Sequence, residues 1–461
     1  MTETLTPLAD DFPAPDLEAW RKLASKTAPD ARIEALTKRT LDGIEVEPLY
    51  GPWNAAEPAA PRKGPAEDVT RPWDLRAPVL LALSAGEANA QALGHLRGGA
   101  ASLLVCLDPN DPYAAPVRSA EDLAAVLDGV LLELAPVALD GGEAGVAAAN
   151  WLAVAAKGSP QAKLGFHLDP VTVAAREGPD LLDAAVQTAT RHMAAYPLAQ
   201  AFLASGRFVH EAGGTEAQEL AAMLASAVTY ARALNGAGVG VEEAFGRITL
   251  GLSADNQTFM TLAKTRAARM LWARLLEASG AGGAARIEAR GSRRMLARDD
   301  AWTNLLRQTA ACFGAGAGGA DAVVLEPFTL ARGEATALAQ RQSRNVQLVL
   351  MEEAHLGRVA DPAGGAWFVE RLTAELARTA WGIFQEIEAR GGAMAGLDWL
   401  AEQVAQARDQ RAADLAEGRA QMIGVTLHRH AEDAPPPGEE PAATGRFAPV
   451  RLAAAFEGGA K

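Results

Sequence analysis

At 461 residues the chain exceeds one average domain, yet it accommodates a barrel of about 250 residues with extensions at both ends. Its 43 Lys and Arg against 57 Asp and Glu give a formal charge of -14, which argues against nucleic acid as a partner. Hydrophobic residues make up 49% and aromatics only 5%, so the interior must be built from Ala, Leu and Val. The N-terminal MTETLTPLADDF lacks a basic region followed by an apolar core, and no apolar run reaches the roughly 18 residues of a membrane span. The expected location is therefore cytoplasmic, with no membrane partner.

Residues 1–75 read as an arm: one amphipathic helix over Leu17 to Leu36, then a stretch punctuated by Pro48, Pro52, Pro58 and Pro61. Its apolar residues, among them Trp20, Leu23, Ile44, Leu49 and Tyr50, need a second surface, on the same chain or on a partner. From Pro78 short apolar runs alternate with helical segments. The runs are VLLAL at 79, SLLVCL at 102, GVLLEL at 129, KLGFHL at 163, RFVH at 207, RITLGL at 247, RIEAR at 286 and AVVLEP at 322. Eight such runs separated by crossover helices predict a (β/α)8 TIM-type barrel, an α/β fold, with an open doubly wound sheet as the alternative.

Thr215 to Leu234 predicts a helix with Leu220, Met223, Leu224 and Val228 on one face, Thr215 as cap and Gln218 three residues later. Phe259 to Glu277 predicts another, whose Lys264, Arg266, Arg269 and Arg274 read as a solvated face, or alternatively as contacts to an anion or a partner's carboxylate. After the eighth run come a helix, a Pro-Gly turn, a long helix closed by Gly391 and Gly392, and a further helix over Leu397 to Glu417. Beyond Thr426 the chain turns Pro- and Glu-rich, and residues 427–461 read as a linker or tail.

Motif chemistry is sparse. Cys106 and Cys312 lie far apart in apolar runs and read as buried small hydrophobes. His355, in E-E-A-H-L-G, lacks the second His of a zinc helix, and the Gly-rich stretch from Gly314 lacks a phosphate-loop ending, so no metal site is expected. The polar candidates for a barrel mouth are Arg207, His210 and Glu211 near the fifth run, Asp255 and Asn256 beyond the sixth, and Arg293 and Arg294 beyond the seventh.

Arg207 through Trp272 (RFVHEAGGTEAQELAAMLASAVTYARAL and onward) resembles the methylmalonyl-CoA mutase family, as does RNVQLVLMEEAHLGRVADPAGGAWFVERLTAELARTAW from Arg344 to Trp381. Shorter echoes are TLDGIEVEPLY at 40, RPWDLR at 71, LARDDAWTNLLRQT at 296 and IGVT at 423. The resemblance implies a barrel threaded by an acyl-CoA, with adenosylcobalamin delivered by a separate C-terminal domain. Three departures stand out. The family's catalytic chains carry a tyrosine two residues after RPW-x-x-R, where this chain has Pro78. They carry Tyr-His before the E-A-G motif, where this chain has Arg207 and Phe208. The D-x-H-x-x-G motif of the cobalamin domain is absent. GSRRML at 291 also replaces a Thr-Ser-Gly-Trp stretch, and Phe166, Phe208 and Met295 are bulky enough to fill the channel.

The resemblance therefore implies the family's small companion subunit, shortened by its C-terminal domain, with no catalytic residues of its own and with Pro78 and Phe208 marking lost positions. On this reading residues 1–75 are an arm contacting the partner and residues 76–426 are the mutase-type barrel. The partner is a catalytic large subunit of methylmalonyl-CoA mutase in propionate metabolism, and it, not this chain alone, binds adenosylcobalamin. A vestigial acyl-CoA is a further partner to consider. The alternatives are an active substrate subunit working with a separate cobalamin domain, and a scaffold protein derived from one.

Overall fold

The computed structural model describes residues 16–54, 68–429 and 444–457. In the arm, the Asp16 carboxylate caps α1 (Leu17–Ala24) by accepting from the Glu18 backbone N–H. The helix stops well short of Leu36, because Pro29 cannot continue it, and two 3-10 turns follow. A short antiparallel pair, β1 (Lys38–Arg39) and β2 (Glu45–Val46), completes the arm.

Eight parallel strands then close a barrel in the order β10-β3-β4-β5-β6-β7-β8-β9. They are β3 (Asp74–Val79), β4 (Ser102–Cys106), β5 (Val137–Asp140), β6 (Leu164–Leu168), β7 (Gln200–Ser205), β8 (Ile248–Ala254), β9 (Ile287–Gly291) and β10 (Ala322–Val324). The expected fold is the observed one, but three strands are displaced. β3 ends where VLLAL begins. GVLLEL at 129 is a turn whose Leu131 and Leu134 are exposed, and the strand is the shorter Val137–Asp140 behind it. RFVH is helical, and the fifth strand precedes it. The first two are short apolar runs and the third is only four residues long, so none carries a period by which strand, turn and buried helix can be told apart.

The crossovers are α2 (Ala85–Arg97), α3 (Ala120–Val126), α4 (Gly145–Ala155), α5 (Pro170–Ala175), α6 (Leu182–Met193), α7 (Arg207–Glu211), α8 (Glu216–Gly236), α9 (Val241–Gly246), α10 (Thr258–Ser279) and α11 (Ala301–Ala317). After the barrel come α12 (Ala337–Leu348), α13 (Trp367–Ala389) and α14 (Ala393–Ala416). α8 starts with the expected reciprocal cap: Thr215 Oγ1 accepts from the Gln218 N–H and Gln218 Oε1 accepts from the Thr215 N–H. Gly391 (φ 101°) and Gly392 (φ 89°) take the left-handed conformations that end α13.

The basic side of α10 is not a solvated face. Lys264, Arg266 and Arg269 are buried, and each finds a carboxylate within the chain: Glu219 at 2.5 Å, Glu370 at 2.8 Å and Asp321 at 2.7 Å. Only Arg274 lies in solvent, paired with Glu277. Both cysteines are buried free thiols, and burial pushes both well above their ordinary range. No helix among the described residues is long and apolar enough to cross a membrane.

Candidate functional site

The barrel axis is filled by ion pairs. Inward-facing Arg76 on β3 donates to Glu288 on β9 (2.5 Å), to Asp74 (2.9 Å) and to Ser102 Oγ on β4 (3.0 Å). Arg290, two residues up β9, donates to Glu288 (2.7 Å) and to Asp140 on β5 (2.5 Å). Burial favours protonating both carboxylates, but the guanidinia outweigh it: Arg290 and Arg76 hold Glu288 far below its usual range, and Arg290 with Arg207 holds Asp140 at about 2.

His167 on β6 also reaches the axis, 4.0 Å from Glu288, and burial together with Arg76 and Arg290 lowers it to about 4, so it is neutral at pH 7. Its backbone is left-handed (φ 47°) where the β6–β7 register shifts. Gly165 makes room for the imidazole, since a Cβ there would lie 2.8 Å from His167 Nε2. Phe166, expected in the channel, points the other way and packs beside His192 and Tyr196 of the outer layer.

At the barrel's C-terminal mouth, four of the sequence candidates form one buried network. Arg294, with no exposed surface, donates to the His210 and Gly214 carbonyls (3.1 and 2.9 Å), to Asp255 (2.8 Å) and to Glu216 (3.4 Å). His210 lies between Ser292 Oγ (3.0 Å), Glu219 (3.2 Å) and Asp255 (3.4 Å). Glu211 accepts from the Arg294 N–H and Ser253 Oγ. Burial would raise Asp255, yet His210 and Arg294 hold it well below its range; Lys264 and His210 likewise hold Glu219 at about 2 against burial.

The remaining candidates lie elsewhere. Arg293 turns to a second cluster, donating to Asp111 and Glu326 beneath the Tyr113 ring, 4.9 Å from its centroid. Asn256 is exposed, and Arg207 opens α7 next to the axis. Because α7 is a helix, His210 is displaced from Phe208 around a helical turn and not one layer along a strand. Pro78 is buried within β3, opposite Leu104.

Residues 444–457 cross this mouth. Phe447 is buried and meets Phe208 edge-on with ring centroids 4.9 Å apart, the Val450 N–H donates to the Glu211 carbonyl (2.7 Å), and the Leu452 N–H donates to the Arg294 carbonyl (3.0 Å). Arg446 anchors one end to Asp398 and the Ala174 carbonyl, and Arg451 the other to Glu457 and the Leu296 carbonyl.

Sequence reasoning missed the axial pairs and this crossing segment. The first had a signal: Asp74 and Arg76, and Glu288 and Arg290, repeat at the two-residue period that puts both members on one strand face. The second had none, since nothing local in RFAPVRLAAAF names its docking surface.

The family profile for methylmalonyl-CoA mutase matches residues 65–444. This chain belongs to the methylmalonyl-CoA mutase family. It is 40% identical to the "Probable methylmalonyl-CoA mutase small subunit" of Mycobacterium bovis, over 93% of this chain and 70% of that protein. It is 38% identical to the "Methylmalonyl-CoA mutase small subunit" of Streptomyces virginiae, over 94% of this chain and 75% of that protein. The same organism's "Methylmalonyl-CoA mutase large subunit" is 28% identical, over 90% of this chain and 62% of that protein.

For a member of the methylmalonyl-CoA mutase family, the mouth is poorly suited to adenosylcobalamin. Among the described residues, the mouth's histidine, His210, is fully buried with its ring turned to Ser292, Glu219 and Asp255, so it offers no free imidazole to a ligand. The described mouth residues therefore do not fit a role as ligands to the cofactor.

Proposed function

We propose that this chain is the non-catalytic small subunit of a heterodimeric, adenosylcobalamin-dependent methylmalonyl-CoA mutase. A catalytic large subunit holds the cofactor and interconverts methylmalonyl-CoA and succinyl-CoA, and this chain stabilises it. The carrying observation is Phe208: where the family's catalytic chains have a histidine, this chain has a phenyl ring sealed under Phe447. A hydrocarbon there can neither donate a hydrogen bond nor move a proton. Pro78, in place of the family's tyrosine, lacks a phenol for the same purpose. The axial chain Asp74–Arg76–Glu288–Arg290–Asp140 argues in the same direction, since it occupies the space a threaded acyl-CoA would need.

The arm over residues 1–75 supplies the partner contact on this reading. α1 buries none of its residues, with Leu23 62% exposed, and Trp53 and Trp367 remain 42% and 45% exposed near the arm's end. Large apolar and aromatic side chains left in solvent are what a protein interface takes up. Residues 76–426 form the mutase-type barrel and 427–461 the tail, of which 444–457 cross the mouth. Two free thiols accord with a cytoplasmic setting.

The test is assembly. Coexpressed with the catalytic chain of its own organism, this chain is expected to elute in size exclusion with light scattering as a one-to-one complex. Elution as two separate species would refute the subunit reading.

A further inference from the structure

Arg207, Arg290 and Arg294 at the mouth each have a donor that no described residue accepts, and Arg294 already spends its terminal nitrogens on four acceptors. Arg290 is 3% exposed; its Nε and one terminal nitrogen are taken by Glu288 and Asp140, while Nη2 is buried without a partner. Arg207, at the C-terminal end of β7, has a buried Nε without a partner and makes no side-chain hydrogen bond or ion pair with any described residue. Burial and then the Arg290 charge push the Arg207 guanidinium below its ordinary range, and the nearby Glu211, Asp140 and Glu326 carboxylates only partly offset them.

The carboxylates around Arg207 are already engaged. Asp140 accepts from Arg290, Glu211 from Ser253 and the Arg294 N–H, and Glu326 from both ends of the Arg293 guanidinium. A buried guanidinium N–H is costly to leave unmatched, and an arginine offers five donors in a planar fork suited to oxyanions. Arg207 is only partly buried.

We propose that Arg207 and Arg290 form a binding site for a small oxyanion with at least two acceptor oxygens, either a phosphate or the carboxylates of a short dicarboxylic acid. The anion bridges the two guanidinia at the ends of β7 and β9 and meets the donors left open there. This site does not depend on the chain's being non-catalytic, and it is tested on the chain alone with no turnover measured.

The experiment is calorimetric titration of the full chain with inorganic phosphate, and separately with malonate, at fixed ionic strength in chloride, beside Arg207→Gln. Arg207→Gln keeps a comparable length without the charge, and its partly exposed position lets the fold persist, which circular dichroism verifies. Saturable binding of either anion, weakened about tenfold or more in Arg207→Gln, is the expected result. The arm that binds identifies the source, phosphate or carboxylate. Absence of binding by both anions would mean that solvent satisfies these donors and overturns the proposal, as would equal binding by wild type and a folded Arg207→Gln.

Discussion

The rings of Phe208 and Phe447 meet edge-on at 4.9 Å, although 239 positions separate them in sequence, and both are buried. The contact joins the start of α7 to a segment that also hydrogen-bonds Glu211 and Arg294 by its backbone. Phe447→Ala is therefore expected to cost on the order of 3 kcal/mol, the usual loss for truncating a buried phenyl ring. Urea denaturation checks this; an unchanged midpoint would mean that the segment contributes nothing to the barrel.

Arg294 is the hub of the mouth network. Arg294→Met keeps the length but leaves Asp255 and Glu216 with fewer partners in a dry site. A loss of about 3–5 kcal/mol is expected, as for breaking a buried ion pair from one side. Arg293→Met, at a side chain 25% exposed, should cost clearly less. Paired denaturation curves decide it, and equal losses would contradict the network as drawn.

Asp42 carries a pH dependence. Its carboxylate accepts from the Ala217 N–H at 3.3 Å, fixing the arm to the start of α8. Burial first, then the Glu216 charge, raises it from 3.8 to about 7, against the opposing Thr215 and Ala217 hydrogen bonds and Arg411. The folded-state value lies above the unfolded one, so the contribution is complete below about pH 4 and is lost as pH rises through about 7. Asp42→Asn keeps an acceptor and cannot ionise. It should match or exceed wild type in stability at pH 8, with the difference shrinking toward pH 5. Melting temperatures across that range test it, and a variant less stable at pH 8 than at pH 5, relative to wild type, would reverse the sign.

Cys106 and Cys312 should both resist a thiol reagent such as DTNB in the native chain and react fully in guanidinium. Burial disfavours the thiolate at each, and the thiolate is the reactive form. Labelling of either at neutral pH without denaturant would show that its part of the core opens.

Much of the architecture was legible because strand and crossover alternate, and because caps such as Thr215 with Gln218 are local. The displaced strands show where that legibility stops. Arg207–Glu211 has a strand-like composition, but it follows a strand already closed at Ser205 and folds as helix. His210, Glu211, Asp255 and Arg294 were recognisable as mouth residues from their place after barrel strands. That they neutralise one another is a property of three-dimensional pairing across at least 39 positions, and no local pattern encodes it. The buried cations of α10 failed for the same reason. A basic helix face is normally solvated, and only the positions of Glu219, Glu370 and Asp321 in the fold reverse that rule.

The central claim, that this barrel assists catalysis without performing it, is tested most directly by a methylmalonyl-CoA to succinyl-CoA assay with adenosylcobalamin. The preparations to compare are the coexpressed pair, and this chain mixed with an isolated cobalamin domain of the family. Turnover by the pair and none by this chain with the free domain is the predicted result. Turnover by this chain with that domain would contradict it, because Phe208 and Pro78 would then stand in a working active site.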